Sequence, residues 1–213
     1  ELILNKSTDD CFNCGVDLLT DSRDGQNYQT IQMNNQCWMK ECLKYLPNVH
    51  SNSEFEIQAL NSLPGYGVYG YDGNDISTAK AQSNYSTYGV LYNWYAAMAG
   101  FSSSSVNPSG VQGVCPAGWH LPSDAEWTQL INYISSNSQY WCNSNSIQIA
   151  KSLASTSGWN SSTNICAVGN DKANNNSSGF TTLPGGFRYS IGTFNNINKY
   201  GNWWSATDDG SLA

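Results

Sequence analysis

The sequence predicts an α+β fold, on three observations. Residues 124–134 carry a helical repeat behind a strong start signal, residues 91–98 carry the same repeat, and the last third reads as short strands joined by glycine turns. Helices grouped in the middle and strands grouped at the end do not make the alternating order of a parallel α/β sheet.

In order along the chain, residues 1–20 are expected to be an N-terminal extension with apolar Leu2-Ile3-Leu4 and the clustered Cys11 and Cys14. Asp21-Ser22-Arg23-Asp24-Gly25-Gln26 is turn chemistry. Residues 28–33 alternate as a strand, Asn34-Asn35 turns, and residues 36–39 return beside them. Residues 46–86 mix Pro, Gly, Tyr and Asn without a clear period and are expected to form a surface insertion. A helix follows, with Leu91, Trp94, Tyr95 and Met98 on one face and Gly100 as its stop.

The run Gly118-Trp119-His120-Leu121-Pro122-Ser123-Asp124-Ala125-Glu126-Trp127 is the most specific stretch. It reads as a strand end, a proline turn and a helix opened by a Ser123/Glu126 capping box. Trp127, Leu130, Ile131 and Ile134 give that helix one apolar face. Ile147, Ala150 and Leu153 suggest a further short helix. Strands are then expected at 180–183, 187–189, 193–197 and 203–207, with turns at Pro184-Gly185-Gly186 and Ser190-Ile191-Gly192.

Only 12% of the 213 residues are charged while 13% are aromatic, and Asn, Ser, Thr and Gly fill the gaps between apolar segments. That balance points to an extracellular, exported protein. A net charge of −7 gives a phosphate backbone nothing to pair with, so nucleic acid is not an expected partner. No apolar run reaches the length of a membrane span. The start at Glu1 is taken to follow removal of a leader.

Several of these segments resemble the Fibrobacter succinogenes major paralogous domain, a family of exported bacterial surface proteins. The resemblance rests on Asp21-Ser22-Arg23-Asp24-Gly25-Gln26-Asn27-Tyr28, Gln36-Cys37-Trp38-Met39 and Tyr88-Gly89-Val90-Leu91-Tyr92-Asn93-Trp94. It continues through Gly113-Val114-Cys115-Pro116, the capped-helix motif, Leu183-Pro184-Gly185-Gly186-Phe187-Arg188 and Trp203-Trp204-Ser205-Ala206-Thr207. It implies a C-type-lectin-like fold over residues 21–213, related to that of formylglycine-generating enzymes. Members of the family continue into a last strand with a cysteine, which a chain ending at Ala213 is expected to lack.

The seven cysteines admit two readings. Cys11-x-x-Cys14 with Cys37-x-x-x-x-Cys42 resembles a loose four-thiolate zinc site, whereas an oxidising compartment favours disulfides. The family resemblance implies Cys14–Cys37, leaving Cys11–Cys42 as an added staple and Cys142–Cys166 as a third bridge. Cys115 is then unpaired or bonded outside this chain segment.

Candidates for chemistry are few. His50 and His120 have no triad or ligand spacing, and Asp124 and Glu126 sit where carboxylates serve a helix start. No catalytic residue and no cofactor is therefore expected. Calcium stays possible, with Asp72, Asp75, Asp208 and Asp209 as weak ligand candidates on turns. Binding falls to the aromatics: Tyr66, Tyr69 and Tyr71 as an alternating platform, and Trp203 and Trp204 facing opposite sides of a strand. The expectation is a cell-surface adhesion module for a glycan or a surface protein. The alternative is a structural subunit of a filament of its own copies, with Glu1-Leu2-Ile3-Leu4-Asn5 as the strand donated to a neighbour.

Overall fold

The computed structural model describes residues 12–210 together with the strand Ile3–Leu4. A four-stranded antiparallel sheet holds, in order, Thr30–Met33, Gln36–Met39, Ile3–Leu4 and Trp119–His120. Its first two strands form the expected hairpin, registered from Thr30 opposite Met39 to Met33 opposite Gln36, with Asn34 at φ 55° in the turn. All four residues of Gln36–Met39 are buried, as befits an inner strand. Ile3 lies opposite Trp38 on one side and His120 on the other. The strand expected to reach a neighbour is thus seated in the sheet of its own chain; Glu1, Leu2 and Asn5 lie outside the described residues. Phe12 and Cys14 pack on the core as well.

The helix Asp124–Ser136 starts as the sequence predicts. The Ser123 hydroxyl accepts the Glu126 amide at 3.3 Å, and the Ser123 amide donates to Glu126 Oε2 at 2.9 Å. Leu130 and Ile134 are buried against Met33, Trp38 and Phe180, and each contributes about 1.5–3 kcal/mol of burial. Trp127 covers Trp38 with ring centroids 4.8 Å apart, while Ile131 stays exposed, so the buried stripe is narrower than the periodicity suggests.

Residues 88–98 are not one helix. Ser83–Tyr88 ends at Gly89, whose φ of 70° suits glycine and where a Cβ would meet the Leu43 carbonyl oxygen at 2.6 Å. Leu91–Tyr92 then pairs as a strand with Tyr66–Gly67, and Asn93 caps a new helix, Trp94–Met98, through the Ala96 amide. Residues 46–86 also carry more structure than a surface insertion requires. They form the helices Asn52–Leu60 and Ile76–Lys80 and start Ser83–Tyr88. Leu46, Val49, Val68, Ala79 and Tyr85 join Val90 in a buried cluster.

The late meander reduces to one hairpin, Phe187–Arg188 with Phe194–Asn195. Thr181 at φ 66° interrupts 180–183, leaving only a bridge from Thr182 to Ala154, and residues 203–207 form no strand, since among the described residues no ladder pairs with them. Among the described residues the architecture is a mixed α+β one with two helices longer than two turns, Asn52–Leu60 and Asp124–Ser136, and short antiparallel sheets. Disulfides join Cys14 to Cys37 and Cys142 to Cys166, with Cα separations of 5.9 and 5.7 Å.

Candidate functional site

A groove of about 500 Å³ lies between the core sheet, the strand Leu91–Tyr92 and the segment 202–204. Its walls are aromatic and aliphatic, with Tyr88, Tyr92, Leu183, Phe187, Trp203 and Trp204 prominent, and Met39, Val114 and Leu121 at the core side. Trp204 is fixed: its indole N–H donates to the Tyr92 carbonyl at 2.8 Å, its ring meets Trp94 edge-on at 5.8 Å, and its carbonyl accepts from the Trp127 indole at 3.3 Å. Trp203 is half-buried, and its indole N–H has no acceptor among the described residues. Both tryptophans line the same groove. Without a paired strand at 203–207, pleat alternation does not send them to opposite faces.

The glycine turn before Phe187 shapes one wall. Gly186 sits at φ 66°, donates its amide to Tyr200 O at 2.9 Å, and leaves no room for a side chain, since a Cβ would lie 2.5 Å from Asn195 O. Arg188 follows. Its Nε donates to Gly192 O at 2.9 Å, Nη1 to His50 O at 3.0 Å and Nη2 to Asn52 Oδ1 at 2.9 Å. The guanidinium also lies 4.3 Å from the Phe55 ring centre and 4.6 Å from that of Phe194. Arg188 thereby clasps the late hairpin to the start of Asn52–Leu60. Burial pulls its pKa down to about 10, with Asp72 offsetting only part. Among the described residues no carboxylate lies within ion-pair distance of it.

The imidazoles and their neighbours are packed away from the groove. His120 Nε2 donates to Glu126 Oε1 at 2.8 Å, and the residues are 2% and 1% exposed. Glu126 Oε2 takes the amides of Ser123 and Ser109. Burial raises the Glu126 carboxyl, but the His120 N–H and these amides outweigh it and hold the pKa below the ordinary value. The second histidine, His50, accepts the Tyr66 amide at Nδ1, and burial keeps its pKa low, so it is neutral. Neither histidine lines the groove.

The three tyrosines proposed as a platform do not form a row. The strand ends at Gly67, and the chain turns as Tyr71 N donates to Val68 O. Tyr66 stacks on His50, Tyr69 packs on Phe194, and the Tyr71 hydroxyl accepts the Asp75 amide. The acidic candidates serve local turns. Asp72 accepts the Asn52 amide and Asp208 the Gly210 amide, each at 2.7 Å. Asp75 caps Ile76–Lys80, and hydrogen bonds from Ser77 and Thr78 hold its pKa at about 2. Asp209 lies on the exposed turn beside Asp208. Among the described residues no three His, Cys, Asp or Glu side chains converge as a metal ion would require.

The Cys14–Cys37 bridge uses two of the four thiols that a zinc site would need. Cys11 lies outside the described residues, and with it the Cys11–Cys42 pairing; Cys42 borders the groove. Cys115 is fully buried in the core cluster, forms no disulfide among the described residues, and has its thiol pKa pushed up by burial.

The groove is lined by the two tryptophans named from the sequence and by Tyr88, Tyr92, Phe187 and Arg188, which the sequence reading did not single out. The signal was there in Gly-Gly-Phe-Arg, where adjacent glycines allow close backbone approach and deliver an aromatic and a cation to one place. The chain belongs to the Fibrobacter succinogenes major domain family, whose sequence profile matches residues 31–213. No curated protein and no solved structure matches it. Two disulfides agree with an extracellular setting, and among the described residues no helix is long and apolar enough to cross a membrane.

Proposed function

We propose that the chain is an exported cell-surface binding module on a C-type-lectin-like scaffold, taking its ligand in the groove beside Trp203 and Trp204 and catalysing nothing there. One observation carries this reading. A cavity of about 500 Å³ is walled largely by aromatic and aliphatic side chains, and among the described residues no carboxylate or imidazole lines it. General acid–base chemistry needs such groups within hydrogen-bond reach of a substrate. The largely apolar lining also favours an apolar protein surface over a glycan, whose hydroxyls need several fixed partners. Binding is expected to be independent of calcium. The test is a glycan array and a panel of surface-protein peptides, each with and without chelator, for the chain and for Trp203→Ala. Loss of peptide binding in the variant, unaffected by chelator, supports the reading; calcium-dependent glycan capture untouched by the substitution defeats it.

The filament reading keeps one supporting observation. Ile3–Leu4 supplies two residues to an inner position of the sheet, so the same strand from another copy would find an identical seat. Sedimentation velocity over a wide concentration range tests it: concentration-driven polymers are expected, and monomer throughout defeats it.

A further inference from the structure

We infer that the surface around the Cys142–Cys166 disulfide is a contact between two copies of this chain, meeting across a two-fold axis. The groove and the strand Ile3–Leu4 have no part in it. Two observations coincide at this surface. In a chain that is 12% charged, residues 127–170 contain one charged side chain, Lys151. That lysine is buried, and its ammonium donates to the carbonyls of Asn170 and Asp171. Within the same run Ile147 is 82% exposed and Ile165 77%.

Both isoleucines flank the bridge. Ile165 precedes Cys166, and Ile147 precedes Gln148, whose carbonyl accepts the Cys142 amide at 2.9 Å. The backbone on each side is ordered by its own bonds. Asn145 Oδ1 accepts the Ile147 amide at 3.1 Å, and the Ser162 amide donates to Gly169 O at 3.0 Å. A stapled double loop thus holds two aliphatic side chains in solvent, and docking them costs little further ordering. Charge decides the occupant. Copies of net charge −7 repel, and a two-fold contact sets each residue near the axis against its own counterpart. A charged side chain there would meet its like. Isoleucine does not, nor do the exposed Asn143 and Asn164, whose amides both donate and accept. Leu60 gives the contrast: it is also 77% exposed, but Glu54 and Glu56 stand on the same short helix.

The experiment is sedimentation velocity of the chain over a wide concentration range, at low and high salt. Alongside it run the double variant Ile147→Glu with Ile165→Glu, and the single variant Leu60→Glu. A monomer–dimer equilibrium is expected, tightening at high salt as the net charge is screened. The double substitution is expected to raise the dissociation constant more than about tenfold, and Leu60→Glu to leave it unchanged. Hydrogen exchange of the unaltered chain, below and above the transition, is expected to show protection gained in residues 142–149 and 162–169. That second readout stands even if the substituted loops misfold. Phosphatidylcholine vesicles and dextran are offered as competing occupants.

Monomer at every concentration overturns the inference, as does a dimer that keeps its affinity in the double variant. Binding of a monomeric chain to vesicles or dextran, abolished by the double substitution, gives the surface to lipid or glycan and overturns it equally. Open polymers indifferent to both isoleucines belong to strand exchange through Ile3–Leu4 and leave this surface without the contact. None of these outcomes bears on the groove, which keeps its own test.

Discussion

The same four-residue device opens two helices of this protein, and the two copies do different work. Ser51 and Glu54 form a capping box at the start of Asn52–Leu60, as Ser123 and Glu126 do at the start of Asp124–Ser136. Around Glu54 only Phe55 of the helix is buried, and the box satisfies amides at a solvated helix end. Glu126, by contrast, is 1% exposed and collects the amides of Ser123 and Ser109 and the His120 ring, tying together the helix, the strand Trp119–His120 and the preceding loop. A motif fixes local geometry; burial decides whether it also becomes a tertiary joint.

Deleting the joint should give the largest effect. Glu126→Ala strands His120 and two amides in the interior and is expected to lower stability by about 3–5 kcal/mol in denaturant unfolding. A loss no greater than an ordinary cap deletion would show that the buried pair contributes nothing beyond capping. At the exposed copy, Ser51→Ala is expected to cost about 0.5–2 kcal/mol and to speed hydrogen exchange mainly in Asn52–Leu60.

The smallest separation between the copies should appear on acidification. Both glutamates have lowered pKa values, so each contributes stability that is complete above its unfolded value, about 4.3, and is lost as pH falls through the lower folded value. The slope should be carried mainly by Glu126, because solvent screens Glu54. Stability measured between pH 5 and 2 should therefore flatten in Glu126→Gln and keep its wild-type slope in Glu54→Gln.

The second box was legible because a helical repeat follows it: Leu130 and Ile134 meet the core at the spacing the sequence shows. The first has the same Ser-x-x-Glu pattern, yet behind Phe55 no apolar stripe marks a helix, so residues 46–86 read as insertion. Leu91–Tyr92 misled in the opposite way. Its apolar spacing matches a helix, but Gly89 and the Asn93 cap break the chain on either side, and pairing with Tyr66–Gly67 decides the outcome. The hairpin 30–39 has its turn residues adjacent and was open to reading. The groove joins residues from 39 to 204, and Arg188 finds its partners at His50 and Asn52, which only the fold brings near.

The seat of Ile3–Leu4 bears on how the molecule comes into being. Its two neighbours lie more than thirty and more than a hundred positions downstream, at Trp38 and at His120. During folding this piece of the sheet must therefore wait for a late one before its inner row can close. Such distant pairing slows folding, because a long loop must be ordered before its contacts form. Until closure, Gln36–Met39 presents an open edge to whatever else is nearby, which makes those moments the ones when the chain is most open to wrong pairing.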